Sequence, residues 1–203
     1  MGERLLEPFE LYGWVPDPYL TDDENMMDLL LLVTRASTLK QGSMACILLR
    51  PKATATSAED DDDDDDDLLS RIQSVANNQE LYKADSSDVH AEIAAIGHAA
   101  RHGRSTNACT AYITMPPCKK CFTALYTAGI CRVVSVHRPP ACYAPFANVV
   151  SMVGVMDINE NRQRIQVYLD AAADTVERKL DEEEQEKGVT HEESLLLPHT
   201  ATR

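Results

Sequence analysis

The stretch TMPPCKKCF, Thr114 to Phe122, can occupy few positions in a folded chain. Proline has no N–H and its ring fixes φ, so Pro116 and Pro117 end the apolar run TAYIT as a strand and allow a helix to begin directly behind them. The segment CKKCFTALYTAG then predicts a helix that starts at Cys118 and ends at Gly129. Both cysteines fall in its first turn. A second helix is predicted over SSDVHAEIAAIGHAARHG, with Ser87 or Asp88 as N-cap, an alanine-rich body and Gly103 as the stop. His90 and Glu92 fall in its first turn.

Around this pair the pattern alternates. Thr21 and Glu24 form a capping box before helically spaced Met26, Leu29, Leu30 and Val33, which predicts a helix over Asp22 to Ser37. MACILLR and RIQSVANN read as two strands of a hairpin. Between them, about 51–67, lies a run of nine acids, Glu59 and Asp60 through Asp67, which cannot pack against one another and predict a solvated loop. CRVVSVH reads as a further strand, YAPFANVVSMVGV as helical, and RQRIQVYLD as the fifth strand. This order predicts an α/β fold, a three-layer α/β/α domain with a central mixed sheet of about five strands. The domain spans 22–170. Residues 1–21 are an N-terminal extension anchored by Trp14, and 171–203 a charged C-terminal tail.

The formal net charge is −14, but the acidic run supplies nine of the 33 acids, leaving 24 against 19 bases. A mildly acidic body with an acidic loop repels a phosphate backbone, so a nucleic-acid partner is not expected. The chain has no apolar run of 18 residues, and MGERLLEPFE carries charges where a secretory signal needs an apolar core. The expectation is a soluble protein of the cytoplasm, the nucleus not excluded, with no membrane partner. Six cysteines spread over 203 residues are too sparse for a small secreted disulfide framework, so the thiols are read as reduced.

Cys118-x-x-Cys121 alone leaves three readings open: a redox pair, half of a metal site, or two ordinary thiols. The other helix start narrows them. If both N-termini face one point, that point holds one imidazole and two thiols, and His90, Cys118 and Cys121 become three zinc ligands. Three protein ligands leave a fourth position open, the pattern of catalytic rather than structural zinc. Helix N-termini favour thiolate over thiol. Glu92, two residues from His90, can approach the open position without binding the metal. His98 and His102 read as a solvent-facing helix end rather than a second metal site with Cys46, and Cys46, Cys109 and Cys131 read as small core residues.

HAE at 90–92 with PCKKC at 117–121 resembles the zinc-dependent nucleobase deaminases, the cytidine and deoxycytidylate deaminase superfamily. Within it, YTAGICRVV and RIQSVANN are most similar to the deoxycytidylate (dCMP) deaminase branch. One position departs: where that branch commonly has Asn two residues after the catalytic glutamate, this chain has Ala94. The resemblance implies a hydrolytic enzyme in which zinc activates water, Glu92 relays protons, and C4 of cytosine is attacked with release of ammonia, dCMP becoming dUMP. It further implies that Asn78 (with Asn77 as fallback) contacts the sugar, that the Ala91 N–H holds the pyrimidine, that Tyr143 lines the pocket, and that the partners are a nucleotide substrate and further copies of the chain. Two alternatives carry different expectations: an editing deaminase acting on transfer RNA or other RNA, and a non-catalytic deaminase-like subunit with structural zinc.

Overall fold

A computed structural model describes residues 9–39, 43–52, 67–82, 87–137, 141–146, 150–154 and 158–195. Most of the acidic run, and with it the predicted loop, lies outside them.

The first helix, α1 (Asp22–Arg35), begins where the capping box places it: Thr21 accepts from the Glu24 N–H, and the Glu24 carboxylate accepts from the Thr21 N–H at 2.8 Å. Strand β1 (Ala45–Leu49) pairs antiparallel with β2 (Ile72–Asn77) and, on its other side, antiparallel with β3 (Thr110–Ile113). β3 pairs parallel with β4 (Arg132–Ser135), and β4 parallel with β5 (Ser151–Gly154). The sheet order is β2-β1-β3-β4-β5. Because β1 runs against both of its neighbours, the other four strands all point the same way. Their C-terminal ends therefore share one sheet edge, where ligands of open α/β sheets collect.

Alternation along the strands builds two cores. Ala45, Ile47, Leu49, Tyr112 and Val134 face α1, while Cys46, Leu48, Ala111, Ile113 and Val133 face the helices α2 (Ala91–Arg101) and α3 (Lys119–Thr127). With both faces covered, these strands are apolar throughout rather than alternating. Trp14 anchors the N-terminal segment as expected, 3% exposed in the α1 core.

Four expectations fail. The fifth strand is Ser151–Gly154, inside the segment read as helical, whereas RQRIQVYLD is helix: α4 (Ile158–Arg164) followed by α5 (Gln166–Leu195). The reason is visible at Asp28, a buried α1 carboxylate. Asn161 donates to it at 2.6 Å and Arg164 at 2.8 and 2.9 Å, and only a helix puts residues three apart on one face. Ile165, Leu169 and Ala172 continue the same face onto α1. α5 crosses position 171 without a break. Cys131, read as a core residue, is exposed, while Cys46 and Cys109 are buried.

A second ion pair fastens α1 to the sheet. Arg132 donates two hydrogen bonds to Asp23, at 2.7 and 2.6 Å, and the Tyr112 hydroxyl adds a third at 2.7 Å. The bond from Arg132 holds the Asp23 pKa below the usual carboxylate value, and the Tyr112 bond adds to it against the opposing effect of burial. A depressed carboxylate contributes stability above its unfolded pKa and loses it as pH falls through the folded one. Asp23→Asn is therefore expected to lower unfolding free energy by about 2 kcal/mol at pH 7. Urea denaturation at pH 7 and pH 3 should show that deficit shrinking in acid.

Candidate active site

Both helix starts reach the same sheet edge, but by different devices. α3 follows β3 through Thr114–Cys118, with Cys118 as N-cap and Cys121 in its first turn. The helix ends at Thr127, two residues ahead of the predicted stop Gly129, whose φ of +82° is left-handed. A Cβ there would also lie 2.8 Å from Asn107 Oδ1, so the turn requires glycine twice over. α2 is reached from β2 by a single antiparallel bridge, Gln79 to Val89, with N···O distances of 2.9 and 3.0 Å. This bridge places Asn78, just before it, beside Ser87 and His90 at its other end.

The N-cap of α2 is His90, not Ser87 or Asp88. Asp88 instead accepts from the Tyr82 N–H at 3.0 Å, closing the turn ahead of the helix. The His90 side chain makes no capping bond; it turns toward the cysteines. Its Nδ1 lies 3.9 Å from Cys118 Sγ and 3.4 Å from Cys121 Sγ. All three donor atoms lie within 4.8 Å of one another. Among the described residues His98 and His102 form no such group: His98 Nδ1 pairs with Ser74 Oγ at 3.1 Å.

The chemistry of this donor set fits zinc. A tetrahedral ion with Zn–S near 2.3 Å and Zn–N near 2.0 Å holds nitrogen and sulfur about 3.5 Å apart, and the two measured separations bracket that value. Burial, the neighbouring Glu92 carboxylate and the Cys118 thiol push the Cys121 thiol well above its ordinary pKa. Lys119 and Lys120 are exposed. A dication between the three donors offsets that cost, as it must for both sulfurs to ligate as thiolates.

A cavity of about 290 Å³ opens on the cluster. Its wall includes His90, Ala91, Glu92 and Cys118, with Asn78 and Ser87 at the end where the bridge brings them. Glu92 is 8% exposed, a carboxylate held out of bulk water beside the three donors. Ala91 supplies one of the first helix N–H groups, which have no intrahelical acceptor. Asn78 is clamped: its Oδ1 accepts from the Met44 N–H at 2.9 Å and its Nδ2 donates to Ser87 Oγ at 2.5 Å. Asn77, the fallback, points the other way and donates to the Val33 and Met44 carbonyls at 3.0 and 3.2 Å.

Residues 20–137 match the family model for the cytidine and deoxycytidylate deaminase zinc-binding region. The chain belongs to that deaminase family. The deoxycytidylate deaminase of enterobacteria phage T2 is 39% identical over 51 residues, 25% of this chain and 27% of that protein. The match thus spans about a quarter of the length of this curated relative. Among solved structures, a variant of the protein NE0047 in complex with 8-azaguanine is 17% identical over 73% of this chain and 85% of its own, with a TM-score of 0.50. The dCMP deaminase of cyanophage S-TIM5 in apo form is 16% identical over 69% of this chain and 100% of its own, with a TM-score of 0.49. No helix among the described residues is long and apolar enough to cross a membrane.

Against this family frame, Tyr143 is in an unexpected place. It does not line the cavity; it lies in the 3-10 turn Ala141–Phe146, its hydroxyl donating to the Pro117 carbonyl and its ring packed on Phe122. Sequence reasoning also passed over Met44, Ser87, Thr114 and Met115, all on the cavity wall. Thr114 had a signal, since it directly follows β3 and lies two residues ahead of the prolines. Ser87 was obscured because serine before a helix reads first as a cap.

Proposed function

We propose that this chain is a zinc-dependent hydrolytic deaminase of a cytosine nucleotide, with conversion of dCMP to dUMP and ammonia as its reaction. The observation that carries the reading is the buried Glu92 carboxylate in one cavity with His90 and Cys118. A structural zinc site has no use for a shielded proton carrier at its open side.

His90, Cys118 and Cys121 hold the zinc, which when bound supplies a Lewis acid that makes water nucleophilic near neutral pH. Glu92 takes a proton from the attacking water and returns protons to ring N3 and to the departing amine. The Ala91 N–H, at the positive end of α2, donates to an acceptor on the polar edge of the pyrimidine. Asn78, fixed by Met44 and Ser87, orients the sugar at the far end. Removing that contact weakens substrate binding more than chemistry. Asn78→Ala is expected to raise KM about tenfold, with kcat less affected and zinc content unchanged.

An uncharged nucleoside is the second reading. Among the described residues no Lys or Arg lines the cavity, so a 5′-phosphate has no counter-charge on that wall. Ammonia release from cytidine, deoxycytidine and their monophosphates, at fixed zinc, separates the two readings. Turnover of dCMP well above deoxycytidine supports the first. Turnover of none of the four by folded, zinc-loaded protein overturns both.

A further inference from the structure

The two thiols follow directly on two residues that have no amide hydrogen. The Thr114 N–H donates to the Ala45 carbonyl at 3.2 Å, but Pro116 and Pro117, the two residues directly ahead of Cys118, have no N–H to donate. A further hold comes from Tyr143, which is not among the residues of the cavity wall. The Tyr143 hydroxyl donates to the Pro117 carbonyl at 2.5 Å, one residue before Cys118. The Tyr143 ring packs on Phe122, one residue after Cys121, with centroids 4.7 Å apart and planes at 35°. One side chain thus grips both ends of the hexapeptide, Pro117 to Phe122, that carries both sulfurs. It is 7% exposed, buried for that contact.

We propose that Tyr143 is a positioning residue for the Cys118 and Cys121 half of the zinc site. The bond to Pro117 sets the height at which the chain enters α3, and the contact with Phe122 sets the rotation of its first turn. Together they fix the direction in which both sulfurs face His90. Outer partners of this kind commonly change metal affinity by 10- to 100-fold when removed. A brace acting through the backbone belongs at the lower end of that range.

The inference rests on the zinc reading of this site but not on the substrate. A protein that binds zinc and deaminates nothing would overturn the proposed reaction and leave this inference standing. The experiment compares wild type with Tyr143→Phe, which removes only the hydroxyl, and with Phe122→Leu, which keeps the hydroxyl bond and removes the ring contact. Zinc affinity is measured by competition with a chromogenic chelator, and ligand geometry by the absorption bands of the cobalt(II)-substituted protein. Tyr143→Phe is expected to bind zinc about 10-fold more weakly and to shift the cobalt bands, with the metal-free thermal midpoint little changed. Phe122→Leu should lose about threefold, since it gives up only the ring contact. Wild-type zinc affinity and an unshifted cobalt spectrum in Tyr143→Phe would overturn the proposal. So would a drop in the metal-free midpoint as large as that of the zinc-loaded protein, which would make the role merely structural. Should Tyr143→Phe fail to fold, Phe122→Leu decides: wild-type affinity and spectrum there overturn the proposal, and a loss with a shifted spectrum supports it.

Discussion

Glu92→Gln is expected to lower turnover by a factor on the order of 10² to 10⁴ while leaving one zinc per chain. The substitution keeps the size of the side chain and its place in the first turn of α2, so the helix start and the direction of His90 are preserved. It removes the only carboxylate among the described residues of the cavity wall, the group able to take a proton from water and return it to the leaving amine. Zinc binding should be unchanged or slightly tighter. The Glu92 charge is one of the causes that push the Cys121 thiol up, and its loss eases formation of the thiolate. Zinc content and ammonia release, measured on the same preparation, separate these effects. A variant that lost zinc together with turnover would place Glu92 in the metal site rather than beside it.

Cys121→Ser attacks the other half of the machinery and should abolish both metal and activity. Serine replaces a soft thiolate with an alcohol that does not ionise near neutral pH, leaving two ligands where catalytic zinc needs three. Cys121 is 2% exposed, so water cannot readily supply the missing ligand from its side. The consequence extends to stability. Zinc joins the start of α2 to the start of α3, and a ligand present at about 100 times its Kd stabilises the folded state by about 2.7 kcal/mol. Added zinc should therefore raise the thermal midpoint of the wild type and leave that of Cys121→Ser where it is. Equal midpoint shifts in both proteins would show that zinc binds elsewhere.

The metal half of this site was legible because it is short-range. His90, Ala91 and Glu92 are consecutive, Cys118 and Cys121 share one helical turn, and proline marks the junction. The α1 capping box was legible for the same reason. The meeting of the two helix starts is long-range, and it depends on β1 running against both of its neighbours, which no local pattern states. Where two periodicities fitted, the choice fell to partners distant in sequence. RIQVY alternates like a strand, yet Ile165, Leu169 and Ala172 are also spaced like a helix, and the buried Asp28 on α1 decided for the helix. β5 was missed because four residues at an edge carry too little pattern to outweigh the segment before them. Tyr143 shows the same limit. Its closeness to the cysteines could be guessed from a resemblance, but whether it faces the cavity or the back of the segment is a matter of tertiary packing.

The most direct test of a single catalytic zinc site is a titration. Metal-free protein is mixed with increasing zinc at saturating dCMP, and ammonia release is followed at each point. The account predicts a rate that rises in proportion to added zinc and levels off at one zinc per chain. A rate independent of zinc, or no release at one zinc per chain, would contradict it.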